Sequence, residues 1–204
     1  NFKDAFRQFA QKIKKDGLLL KKFGLDRKME AGRTLTYNLQ NQSADVYASD
    51  IVIKEGGYNF DAVIKGKVIS DIRLNMGGMH NVENMMAAIA VAESLEIEPQ
   101  KIKDAVASFK GVKRRFEYII PPAPLGEGLG EGLVFIDDYA HHPEELKALI
   151  SGAKSLFPGR RCTLIFQPHL FSRTRDFADD FARVLSEVDH TVLLPVYPAR
   201  ELPT

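Results

Sequence analysis

The sequence predicts an α/β protein in two parts, and three observations predict it. Residues 33–75 alternate apolar and polar side chains at period two, the mark of half-buried strands. Residues 80–109 carry apolar positions at helical spacing. Beyond Gly111, apolar strand-like runs alternate with helical stretches, the pattern of a parallel sheet with crossover helices. The style changes near Gly111 to Lys113, where we place a domain boundary.

The elements follow in order. Phe2, Phe6, Phe9 and Ile13 share one face of a helix expected over residues 1–16, closed by Gly17. Leu18 to Leu20 predict a short buried strand. Leu35, Tyr37 and Leu39 alternate with polar residues; Tyr58, Phe60 and Ile64 share a face, as do Val68, Ile72 and Leu74. Gly56-Gly57 and Lys65-Gly66-Lys67 punctuate these runs, which reads as antiparallel hairpins. Val82, Met85, Met86, Ile89 and Ala92 form one stripe of a helix from His80 to Leu95. Gly77-Gly78 before it allows close approach of backbone or ligand. Pro99 opens a helix ending at Phe109. Then come a strand to Ile120, a Pro- and Gly-rich surface loop over 121–132, and a strand over 133–137. A helix from Pro143 to Leu156, a strand over 162–166, a helix from Thr174 to Val188 and a strand over 191–196 complete the chain.

Composition excludes several classes of function. The 204 residues carry 28 Lys+Arg against 27 Asp+Glu, a net charge of +1, with 45% hydrophobic residues. That suits a globular core and gives no broad basic surface for nucleic acid. No run approaches the roughly 20 apolar residues of a membrane helix. The single cysteine, Cys162, lies in an apolar run, reads as an inert thiol and fits a reducing compartment, so a cytoplasmic location is expected. The chain opens on Asn1 without a Met, and both ends read as cuts in a longer protein.

Polar residues gather where strands of the second part end. Asp137-Asp138-Tyr139-Ala140-His141-His142-Pro143 follows one strand, and Gln167-Pro168-His169 follows the next, with Arg173 and Arg175 close behind. Parallel sheets bind ligands outside the carboxyl ends of their strands, so the two loops predict one shared site. Taken singly, Asp138 or His141 equally suits a helix cap, and the arginines equally suit solvated charges. His141, His142 and His169 with Asp137 or Asp138 carry metal-ligating atoms, but their spacing is no known zinc pattern and no metal site is expected. In the first part, Asn81 and Asn84 are neighbours on one helix face. An asparagine amide donates and accepts at once, as an adenine edge requires; the plainer reading is that Asn81 caps the helix. Lys113-Arg114-Arg115 at the boundary suits a phosphate clamp or surface ion pairs.

Together these motifs resemble the Mur ligase family of bacterial cell-wall synthesis. The resemblance rests on Gly78-Met79-His80-Asn81-Val82-Glu83-Asn84, on Phe109-Lys110-Gly111-Val112-Lys113-Arg114-Arg115-Phe116, and on the Asp137 to Pro143 run. Within the family, Phe166 to Arg175 and Val196-Tyr197-Pro198-Ala199-Arg200-Glu201 are most like the member that adds the first amino acid. The resemblance implies that residues 1–112 are the back half of a mixed-sheet central ATPase domain. It likewise implies that 113–204 are most of a C-terminal Rossmann-like domain with a mostly parallel sheet.

The same resemblance implies an ATP-dependent ligase that joins L-alanine to UDP-N-acetylmuramate through an acyl phosphate, with Mg2+ held mostly by residues outside this chain. It assigns Asn84, supported by Asn81, to adenine and Arg115, a catalytic candidate, to the phosphates. Asp138 takes the ribose, with Tyr139 and the catalytic candidate His141 lining the same loop. His169 and Arg173 take the amino acid's carboxylate. No G-x-x-x-x-G-K-[ST] phosphate loop occurs in the 204 residues, so this chain alone is expected to be inactive. Two alternatives stand beside this: a peptide-recycling ligase of the same family, and a non-catalytic nucleotide-binding module.

Overall fold

A computed structural model describes residues 2–25, 32–120 and 132–202; nearly all of the loop expected over 121–132 lies outside these. The chain forms two compact units. One comprises Asn1–Asn75 and Met79–Phe109, the other Met76–Gly78 and Lys110–Thr204.

The first unit is a mixed five-stranded sheet with helices on it. Its elements are α1 (Phe2–Gln11), β1 (Leu18–Lys22), β2 (Arg33–Tyr37), β3 (Val46–Lys54), β4 (Gly57–Ile64), β5 (Lys67–Leu74), α2 (Met79–Ser94) and α3 (Pro99–Ser108), with the strands side by side in chain order. β3, β4 and β5 form the expected antiparallel hairpins. β2 does not: it runs parallel to β1 and meets β3 in parallel through Tyr37 and Val46. The reason is a clasp. Asp45 Oδ2 accepts both the N–H and the hydroxyl of Thr36 at 2.7 Å, and Thr36 Oγ1 accepts the Asp45 N–H at 3.1 Å. This folds the 38–45 segment back along β2, so β3 departs in the same direction.

Two bulges alter the predicted faces. One extra residue sits on β3 between Ser49 and Val52, and one on β5 opposite Phe60 and Ala62; Asp50 and Asp71 occupy them at φ of 51° and 56°. Aspartate tolerates this left-handed backbone better than most residues. The β5 bulge shifts alternation by one, so Ile69 and Ile72 are buried while Val68, expected inside, is 55% exposed. The sheet face beneath α2 is closed by Tyr58, Phe60, Ile64, Ile72, Leu74, Val82, Met86 and Ile89, all buried. Each such side chain contributes about 1.5–3 kcal/mol. α1 is shorter than expected, because i→i−3 bonds from Lys12 to Phe9 and Ile13 to Ala10 tighten and end it. Its expected apolar face is not the buried one at Phe6 and Phe9, which are 44% and 72% exposed, whereas Ala10 is buried.

The second unit contains β6 (Glu117–Ile120), β7 (Phe135–Asp137), α4 (Pro143–Leu156), β8 (Thr163–Phe166), α5 (Phe171–Asp176), α6 (Ala178–Leu185) and β9 (His190–Leu193). β8 and β9 are parallel; β6 and β7 are antiparallel. Leu146 and Ile150 of α4, Phe166 of β8, and Phe181 and Val184 of α6 form one buried cluster. The single helix expected over 174–188 is two. The chain turns at Phe177 (φ −118°, ψ 23°), whose ring packs edge-on to His142 at 4.7 Å and joins the cluster. Among the described residues, no helix is long and apolar enough to cross a membrane.

Candidate functional site

The loop after β7 is built around two carboxylates. Asp138 Oδ2 accepts the Phe116 N–H at 2.7 Å and Oδ1 accepts the Ala140 N–H at 2.8 Å. Tyr139 N–H donates to the Arg114 carbonyl at 2.8 Å. These bonds fix a turn in which Arg114 and Phe116 stand at φ of 57° and 50°, a backbone that ordinary side chains avoid unless their surroundings hold them. Asp138 therefore spends one lone pair of each oxygen on the protein and keeps the other.

Glu145 is the second carboxylate. It accepts the N–H groups of His141 (2.9 Å) and His142 (3.2 Å), while His142 Nδ1 accepts the Glu144 N–H at 3.4 Å. The cap of α4 is thus His142, not Asp138 or His141. Burial alone raises the Glu145 carboxyl, but the two N–H groups and the charges of His141 and Arg115 together hold it below the usual carboxylate range.

The imidazoles have assignable tautomers. His141 Nδ1 lies 2.9 Å from the Tyr139 carbonyl and 3.4 Å from Glu145 Oε2, both acceptors, so Nδ1 carries a proton, and Nε2 is the atom that accepts when the ring is neutral. His169 Nδ1 faces Arg173 Nη1 at 3.5 Å, and a guanidinium only donates, so His169 presents Nε2–H. The rings form a row: Tyr139 and His141 at 5.4 Å, His141 and His169 at 6.2 Å, His169 and Tyr197 at 5.7 Å and nearly stacked. An acceptor, a donor and a cation from two strand-end loops thereby stand together. That set can hold a carboxylate and take a proton from an amine.

Of the eight site residues taken from the sequence, His141, His169 and Arg173 come together in this row with Tyr139 at its end. Asp138 underpins the same loop, and the exposed Arg115 exerts its charge on Glu145. Asn81 and Asn84 lie on the first turns of α2 in the other unit, Asn84 exposed and Asn81 partly so. Sequence reasoning gave no role to Glu145, Tyr197 or Glu201. Glu145 had a legible signal, since it stands three residues after the capping position. Among the described residues, no group of three or more His, Cys, Asp or Glu is arranged to hold a metal ion.

Comparison with known proteins gives this fold its context. Residues 1–92 match the Mur ligase middle domain, and residues 114–203 match the Mur ligase, glutamate ligase domain. The chain is 39% identical over 204 residues to UDP-N-acetylmuramate–L-alanine ligase of Cytophaga hutchinsonii, covering 100% of this chain and 42% of that protein. Against the enzyme of the same name from Porphyromonas gingivalis it is 41% identical over 206 residues, covering 100% and 43%. The crystal structure of UDP-N-acetylmuramate-alanine ligase from Thermotoga maritima superimposes with a TM-score of 0.74 at 25% identity, covering 96% of this chain and 41% of that one. Fold and sequence together put the chain among the α/β domains of ligases. It belongs to the Mur ligase family, and it spans about two fifths of the length of the relatives it matches.

Proposed function

We propose that this chain is the part of an ATP-dependent UDP-N-acetylmuramate–L-alanine ligase of peptidoglycan synthesis that binds nucleotide and amino acid. The observation that carries the reading is the pairing of His169 and Arg173 beside His141. It gives a donor and a cation for a carboxylate, next to an imidazole whose Nε2 is the atom able to take a proton. Identity near 40% to ligases that use L-alanine supports the same substrate here.

The reaction makes plain demands. A carboxylate is a poor electrophile, and ATP with Mg2+ supplies the phosphoryl group that activates it. The chain's own residues bind and orient. In the first unit, Asn84 and Asn81 offer amide donors and acceptors to adenine. In the second, Arg115 offers a phosphate contact, Asp138 its remaining lone pairs to ribose hydroxyls, and Tyr139 a ring flanking that loop. Arg173 and His169 Nε2–H hold the carboxylate of L-alanine, and His141 Nε2 accepts a proton from its ammonium so that the amine can attack. No phosphate loop lies in these 204 residues, so in this reading most of the Mg2+ ligands belong to the rest of the protein, the chain by itself is inactive, and the intact protein works in the cytoplasm.

The test uses the intact protein. Phosphate release from ATP is followed with UDP-N-acetylmuramate plus L-alanine, plus a tripeptide, or plus neither. Release that depends on L-alanine is expected. Release with the tripeptide only moves the protein to a peptide-recycling role, and release with neither overturns the ligase reading.

A further inference from the structure

The segment after β9 carries Tyr197-Pro198-Ala199-Arg200-Glu201, to which the reading above gives no role. We infer that Glu201 is a positioning residue for the amino-acid-binding pair His169 and Arg173, acting through Ser172; this rests on that pair binding the carboxylate.

The turn between His169 and Arg173 does not hold itself. Between His169 and Arg173 the chain passes through Leu170 at φ 73°, ψ 132°, a conformation that L side chains avoid. α5 begins there with no side-chain cap from Leu170. Its first turn therefore needs acceptors from elsewhere. Two fasteners supply them, and both come from the segment after β9.

At the His169 end, the Leu170 N–H donates to the Tyr197 carbonyl at 2.9 Å and the Tyr197 N–H donates to the Pro168 carbonyl at 2.8 Å. The Tyr197 ring stacks on His169. At the Arg173 end, Glu201 accepts the Ser172 N–H at 2.9 Å with one oxygen and the Ser172 hydroxyl with the other. The two oxygens thus clamp the residue next to Arg173 by backbone and side chain at once. The hydroxyl, the Ser172 N–H and the Phe171 N–H keep the Glu201 carboxyl below its usual range, as expected of a helix cap that stays ionised.

Rotation of α5 about its first turn swings Arg173 relative to His169, and the Glu201 clamp opposes it. Binding a planar carboxylate by a guanidinium beside an imidazole needs this geometry held closely. Glutamine keeps one acceptor and adds a donor that the hydroxyl can accept, so Glu201→Gln retains most of the clamp while Glu201→Ala removes it.

The experiment uses the full-length ligase. In Glu201→Ala, KM for L-alanine rises roughly tenfold or more while KM for ATP and for UDP-N-acetylmuramate holds; Glu201→Gln restores most of it, and Ser172→Ala falls between. Amide hydrogen exchange at Phe171 and Ser172 is measured in the same proteins, and protection there falls in Glu201→Ala. Unchanged exchange overturns the clamp. Faster exchange with unchanged KM for L-alanine overturns the positioning role, as does an equal loss across all three substrates. If Glu201→Ala does not fold, Ser172→Ala and Glu201→Gln carry both readouts. If the unaltered enzyme shows no release dependent on L-alanine, the reading of the pair fails and the positioning role fails with it, whereas exchange still reports the clamp separately.

Discussion

The ring of Phe116 lies against Gly77 so closely that a Cβ at position 77 would stand 2.0 Å from its Cε1. Phe116 is 2% exposed, and its other edge meets Gly152 of α4, where an added Cβ would be 3.3 Å from Cε2. The Gly77-Gly78 pair, whose sequence reading left backbone or ligand open, makes room for an aromatic ring. The obstructing atoms belong to a buried ring, not to the end of a flexible side chain. Gly77→Ala is therefore expected to destabilise the second unit by about 3 kcal/mol, the upper range for overpacking. Urea unfolding followed by tyrosine fluorescence checks it; a change under about 0.5 kcal/mol, typical of surface sites, counts against the contact.

The clasp in the first unit has a pH signature. Burial tends to raise the Asp45 carboxyl, but the Thr36 hydroxyl, the Thr36 N–H and the Lys65 charge outweigh it and hold it below its usual value. A carboxyl depressed by folding adds stability above its unfolded value and loses it as pH falls through the folded one. Stability of the first unit is expected to drop on acidification below about pH 4, and Asp45→Asn is expected to flatten that drop. The substitution itself costs about 1.5 kcal/mol at neutral pH, the low end for charged hydrogen bonds at a half-buried site. Equal acid sensitivity in both proteins would show that other carboxylates govern it.

Some of this architecture was legible because the signal is local. The Pro143–Leu156 helix has its proline at the start and its apolar stripe within one segment, and it forms over those residues. The bulges at Asp50 and Asp71 were not legible, because one extra residue in a strand leaves no mark until its partner is known. The direction of β2 depends on Thr36 meeting Asp45, and the break at Phe177 on a ring meeting His142, both contacts across the chain. The site divides the same way. The meeting of His141 with His169 and Arg173 was legible because strand-end loops converge by rule. Glu201 was not, since its role depends on Ser172, which reaches it only through the fold.

Arg115 is exposed, and its charge reaches the Glu145 carboxylate that organises the His141 loop. A side chain that works on phosphate rather than on the fold can be removed without unfolding the protein. Arg115→Ala in the complete ligase is expected to cut kcat by at least about tenfold, with stability changed by less than about 0.5 kcal/mol. Paired steady-state kinetics and melting curves decide it. Parallel loss of both would assign Arg115 to structure.

Asp138 invites the opposite expectation. Both of its oxygens already hold backbone N–H groups, at 2.7 Å from Phe116 and 2.8 Å from Ala140, and these bonds secure a turn with two residues at positive φ. Removing the carboxylate leaves two partly buried donors without acceptors and frees the strained turn, at a cost of about 2–4 kcal/mol. Asp138→Ala is therefore expected to lower both the melting temperature and activity. Asp138→Asn keeps one oxygen but must set an NH2 against a backbone N–H, since each oxygen site now faces a donor; it should recover less than half of the lost stability. If Asp138 also binds ribose, added ATP will raise the melting temperature of the unaltered ligase more than that of Asp138→Asn, because ligand stabilisation scales with the logarithm of affinity. An equal ATP-induced shift in both would leave Asp138 as the fastener of the turn alone.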